Sequence, residues 1–189
     1  ERSFKWRQKY LNNPENVFPS ILIIPSVDVD YSGVLITKGI SNNNSYDLTV
    51  AFSKGAGGAV DGQSAESWLI EMPKGITLLS PSREMKYNRL PVNGGLEQKT
   101  TSLHNSILSA KNIYQIREFA KNIRTTIPQK TEASNTGPYD VEIGFENDKL
   151  WLFQIRPFVE NENALSSAYL NSLNPEIDNT QQIPLNTKL

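Results

Sequence analysis

Residues 139–157 read Tyr-Asp-Val-Glu-Ile-Gly-Phe-Glu-Asn-Asp-Lys-Leu-Trp-Leu-Phe-Gln-Ile-Arg-Pro. Two alternating runs flank a polar turn, which is the pattern of a β-hairpin. On the first run Val141, Ile143 and Phe145 point one way, and Asp140, Glu142 and Gly144 the other. On the second, Trp151, Phe153 and Ile155 share a face, and Gln154 and Arg156 share the opposite one. Register decides which residues meet across the ribbon. A two-residue loop at Asn147-Asp148 would set Glu142 beside Phe153, mixing a carboxylate with core. A three-residue loop, Asn147-Asp148-Lys149, pairs Glu142 with Gln154 and Asp140 with Arg156. It also gathers the aromatic and branched residues on one apolar face. The three-residue loop is therefore expected, because a slip of one residue buries charge.

Such a hairpin carries two carboxylates, an amide and a guanidinium on one face. Carboxylate and amide oxygens are hard ligands suited to Mg²⁺, whose shell nucleotide phosphates commonly complete. A guanidinium grips a phosphate oxygen with two N–H groups. A plainer reading of the same pattern is an amphipathic edge hairpin with a surface ion pair between Asp140 and Arg156, a feature of little consequence elsewhere.

Residues 137–158, GPYDVEIGFENDKLWLFQIRPF, resemble the C-terminal hairpin of the ATP-binding domain of the phosphoenolpyruvate synthase and pyruvate phosphate dikinase family. Members carry Gly-Pro-x-Asp-[Ile/Val]-Glu followed by Gln-x-Arg-Pro. Gly137, Pro138, Asp140, Val141, Glu142, Gln154, Arg156 and Pro157 match. The resemblance implies an α+β fold, the C-terminal subdomain of an ATP-grasp domain: a mainly antiparallel sheet with one long helix packed on it. It implies that Glu142 and Gln154 hold Mg²⁺ at the phosphates of ATP. Arg156 would contact the transferring phosphoryl group, and Asp140 would support the site. Its weaker part spans Ser32, Gly33, Val34 and Thr37, which match a Ser-Gly-Val segment and strand.

The chain has 189 residues, enough for one domain with a core. Nineteen basic residues nearly balance twenty acidic ones, so charge makes no case for nucleic acid or an anionic membrane. There is no cysteine, which excludes disulfides and thiolate metal sites and fits a reducing compartment; the cytoplasm is the expected location. No apolar run approaches the roughly 20 residues of a membrane span. The first residues lack a signal-peptide core, and the missing initiator Met suggests a piece of something longer.

Ser3–Asn13 is expected to be a short helix, with Ser3 as N-cap and Phe4, Tyr10 and Leu11 toward a buried face. Strands are expected at residues 20–24, 33–37 and 47–52, and a hairpin at 66–72 and 75–79. After the third of these strands, Gly55, Gly57, Gly58 and Gly62 allow positive φ and close approach to a ligand. One reading aims the loop's N–H groups at phosphate or ribose; the other is a tight strand-to-strand turn. No Gly-Lys-Ser/Thr follows, so it is not a Walker A loop. Where the resembled family has a glutamate in this loop, the chain has Gly58, and Glu66 is the available substitute carboxylate.

Residues 80–101 read as a loop, whose Arg83, Lys86 and Arg89 face solvent or meet phosphate. From Ser106 to about Thr125 apolar residues recur at three and four, predicting a helix that Pro128 stops. His104, the single histidine, stands before that helix and fits a surface or capping role. It does not lie in the family's phosphohistidine segment. Residues 1–160 are thus expected to form one half of a nucleotide-binding domain. Residues 161–189 read as a polar strap or tail, with a short helix at 164–173.

The implied function is the ATP- and Mg²⁺-binding part of a phosphotransferase. Such an enzyme moves a phosphoryl group from ATP to a histidine carrier, and on to pyruvate or another acceptor. Its partners would be a preceding ATP-grasp subdomain and a phosphohistidine domain, with no nucleic acid and no membrane. The alternative is a non-catalytic scaffold or partner-binding module on the same fold.

Overall fold

A computed structural model describes residues 2–13, 21, 23–59, 62, 64–102, 105–130 and 137–160. The elements are α1 (Arg2–Tyr10), β1 (Tyr31–Ile36), β2 (Leu48–Lys54), β3 (Glu66–Ile70), β4 (Ile76–Ser80), β5 (Lys86–Arg89), β6 (Glu97–Thr100), α2 (Ala110–Lys130), β7 (Tyr139–Glu146) and β8 (Lys149–Pro157). The fold is α+β. A six-stranded sheet runs in the order β4-β3-β2-β1-β7-β8, each neighbouring pair antiparallel.

One face of the sheet is the core. Leu35, Val50, Phe52, Val141, Ile143 and Phe145 alternate inward along their strands. Against them α2 packs Ile116, Ala120 and Ile123, spaced four and three apart so that one stripe is apolar. Ser109 caps α2: its Oγ accepts the Asn112 N–H, and the Asn112 side chain accepts the Ser109 N–H in return. This is a capping box with Asn in place of Glu. The expected start at Ser106 is thus corrected to Ala110. The expected stop at Pro128 is corrected too, since α2 continues to Lys130. A proline this near the end removes a single intrahelical bond, which the packed stripe outweighs.

Other expectations are revised. Residues 80–101 hold a separate two-stranded ribbon, β5–β6. Arg89 on β5 is not a solvated cation; it bonds Asp28 and Asp30, and Asp28 also accepts the Leu90 N–H. Of the strand expected at 20–24, Ile21, Ile23 and Ile24 are exposed in irregular backbone. Ser20 and Leu22 lie outside the described residues. Tyr10 and Leu11 are exposed rather than buried, and Ser3 sits within α1 rather than capping it. His104, the helix expected at 164–173 and the whole of 161–189 lie outside the described residues. Among the described residues no helix is long and apolar enough to cross a membrane.

The β7–β8 tip docks onto the start of α2. Asp148 pairs with Lys111 at 2.8 Å, and Gln115 donates to the Asp148 carbonyl. The Lys111 hydrogen bond and charge hold the Asp148 carboxyl below its ordinary value of 3.8. A carboxylate with a depressed folded pKa stabilises above its unfolded pKa, and that contribution is lost as pH falls through the folded value. Asp148→Asn should therefore reduce stability at neutral pH and flatten the loss of stability below about pH 3.8. Urea unfolding across pH 2–7 (about the titration range of carboxylates) checks this, and an unchanged acid limb would refute it.

Candidate functional site

The face opposite α2 carries the polar residues of the hairpin. Asp140 and Glu142 alternate with buried Tyr139, Val141 and Ile143 on β7, so both must point away from the core. Across the ribbon Asp140 pairs with Arg156 and Glu142 with Gln154, the register expected. The loop that sets it is different. The turn has two residues, Asn147 and Asp148, with φ of 50° and 63°. Positive φ at both central positions matches the right-handed twist of the flanking strands, and Asn and Asp tolerate it. Glu146 accordingly pairs with Lys149.

A two-residue turn alone would have set Glu142 opposite Phe153. A β-bulge prevents this: pairing passes from Ile143–Leu152 to Glu142–Gln154, leaving Phe153 as the extra residue. The same bulge corrects the expected faces of β8. Trp151 pairs with Gly144 and its indole donates to Glu146, so it lies with the polar set. The Phe153 ring also crosses to that side and covers Gly144, where an added Cβ would meet it at 2.9 Å. Leu150 and Ile155 pack against the core instead.

Asp140 and Arg156 are tied together: Nε donates to Oδ2 at 2.8 Å, and Nη2 lies 2.7 Å from the same oxygen as an ion pair. The guanidinium remains 59% exposed, with Nη1 and its second Nη2 proton free of that bond. The hydrogen bond to Asp140, the charge of Asp140 and that of Glu142 raise the Arg156 pKa, so it is a permanent cation. The side chains of Glu142 and Gln154 form no hydrogen bond with any described residue. Glu142 opens on a cavity of about 320 Å³, shared with Pro25, Val27, Gly57, Leu90 and Phe153. Two adjacent oxygen donors can hold a hard cation whose remaining ligands come from a phosphate chain. Among the described residues no group of three or more His, Asp or Glu gathers for a metal.

The glycine loop meets this cavity through Gly57. The N–H groups of residues 55–57 are committed inside the fold. Gly55 donates to the Asp30 carbonyl, Ala56 to the Asn88 carbonyl and Gly57 to Ser32 Oγ, which itself donates to the Gly55 carbonyl. The loop at Gly55 and Gly57 is therefore part of the strand-to-strand connection from β2 to β3, with φ of 70° and 81°, not an amide cradle. Gly58 is buried beside it. Glu66 does not join the site. It points to the α2 side and is 5% exposed. Its carboxylate accepts from Trp68 Nε1, Ser106 Oγ and the N–H groups of Ile107 and Leu108. Sequence reasoning missed Trp151 and Phe153 as site-face residues. The Asn-Asp dipeptide, suited to a tight turn, was the signal that a bulge must follow.

No family model matches the chain, and no curated protein matches it either.

Because Glu66 satisfies buried backbone donors, Glu66→Ala should destabilise by about 2–4 kcal/mol. It should leave any property of the Glu142 face intact. Denaturant unfolding measures the first; a loss below about 0.5 kcal/mol, the range of ordinary surface changes, would contradict the anchoring role.

Proposed function

We propose that the chain is the C-terminal half of an ATP-grasp nucleotide-binding domain, resembling that of phosphoenolpyruvate synthase. It would bind ATP and Mg²⁺ in a phosphotransferase that passes a phosphoryl group to a histidine carrier and then to pyruvate or another acceptor. The observation that carries this reading is the pairing of Glu142 with Gln154, whose side chains have no hydrogen-bond partner among the described residues, beside a guanidinium anchored by Asp140. Glu142 opens on the cavity and exposed Gln154 stands across the ribbon from it, so both side chains are available to a ligand.

In this reading Glu142 and Gln154 hold Mg²⁺, which supplies charge neutralisation to the nucleotide phosphates. Arg156 presents its free N–H edge to the phosphoryl group in flight, where positioning and charge matter more than covalent chemistry. Asp140 fixes the guanidinium plane by holding Nε and Nη2. The glycine loop contributes shape through Gly57 and no N–H from residues 55–57. A preceding subdomain forms the opposite wall of the cleft, and a phosphohistidine domain receives the product. Both are parts the resemblance calls for rather than parts of this chain.

A second reading has its own observation. Gly58 stands where the family has glutamate, and saturated Glu66 offers no replacement. On that ground the module would be a non-catalytic scaffold that keeps the fold. Calorimetric titration of the native protein carrying this chain with Mg²⁺-ATP separates the two. Under the first reading it binds, and Glu142→Ala or Arg156→Ala lowers ATP turnover by about 10²–10³-fold while far-UV circular dichroism is unchanged. Near wild-type turnover in either variant counts against the roles, and an absence of binding heat favours the scaffold.

A further inference from the structure

On the α2 side of the sheet, away from the Glu142 face, lies a second cavity of about 210 Å³. It is smaller than the roughly 300 Å³ at which pockets take drug-sized ligands. Trp68, Leu78 and Ile107 supply apolar walls, and Lys54 and Lys86 supply ammonium groups. The acids present are engaged: Glu66 has its four donors, and Glu84 accepts the Ser64 N–H. The lysines are not matched. Lys54 is half-buried and donates only to Thr101 Oγ1, and neither lysine has a carboxylate within ion-pair distance among the described residues. Glu66 and Glu84 keep their charge in the same cavity, but a half-buried ammonium with no carboxylate within ion-pair distance still gains from an anion brought into contact.

We infer that this cavity binds a small organic carboxylate with an apolar body. The carboxylate would lie at Lys54 and Lys86, and the body against Trp68 and Leu78. The inference stands apart from the nucleotide reading, since none of its residues belongs to the Glu142 face.

The test titrates the full chain with 3-phenylpropionate, and with its neutral amide, followed by ¹⁵N–¹H NMR and calorimetry. Saturable one-to-one binding is expected, with shifts at Trp68 Nε1–H and the backbone of Thr101, Ser102 and residues 105–107. The amide, and Lys54→Met with the acid, should each bind about tenfold more weakly or worse, the scale of a charge-assisted hydrogen bond. Lys86→Met, at an exposed position with no bond to lose, should weaken binding too and serves if Lys54→Met fails to fold. Glu142→Ala should leave the affinity unchanged. No saturable binding, equal affinity for acid and amide, or indifference to both lysine changes would overturn the assignment. Loss of 3-phenylpropionate binding in Glu142→Ala would also overturn it, by placing the acid at the other face.

Discussion

A single residue of slack in one strand holds the polar face together. The Asn147-Asp148 turn is too short for the register that joins Glu142 to Gln154, and the bulge at Phe153 makes up the difference. Without it, Gln154 would fall opposite Val141 and be driven into the core, and a buried unpaired amide costs about 1–3 kcal/mol. With it, the tip half of β8 keeps Leu150 inward, the base half keeps Ile155 inward, and the change of phase takes place at Phe153. Gly144 makes room for the ring that the bulge throws outward. Turn, bulge and glycine are one device.

The rest of the molecule holds this ribbon still. Charged and polar side chains act as tethers between elements rather than as isolated surface pairs. Glu66 on β3 gathers the N–H groups that lead into α2. Arg124 on α2 reaches back to the carbonyls of Thr37, Ser45, Tyr46 and Asp47, closing the loop after β1. Arg89 joins the β5–β6 ribbon to Asp28 and Asp30, and Asp30 also accepts the Asn147 N–H at the hairpin tip. Each satisfies groups that burial would otherwise leave bare. Against this background the Glu142 and Gln154 side chains, which have no hydrogen-bond partner among the described residues, stay open to a ligand under the proposed reading.

Much of the architecture was legible because it follows from period. Alternation at 139–146 and at 48–54, and recurrence at three and four along 113–123, each bury one face, and the structure places α2 against those strands. The pairing of the polar four was expected correctly, but through a three-residue loop; the bulge at Phe153 is what achieves it. What escaped were features without periodicity. The β5–β6 strands are four residues each, mostly polar, and held by an ion pair to a distant segment. The glycine loop had the composition of a ligand cradle, yet its amides are taken by Asp30, Asn88 and Ser32, residues 25 to 32 positions away.

The sequence by itself determined the antiparallel hairpin and the long helix, since side-chain period is a local property of the backbone. The α+β class came from the resemblance, and the grouping of Asp140, Glu142, Gln154 and Arg156 was expected through a three-residue loop where the structure uses a two-residue turn and a bulge. Only the tertiary structure decided which polar groups remain available. Glu66 and the loop amides are consumed by partners far along the chain, while Glu142 and Gln154 are not. Hydrogen-bond satisfaction depends on what packs nearby, and no local pattern encodes it.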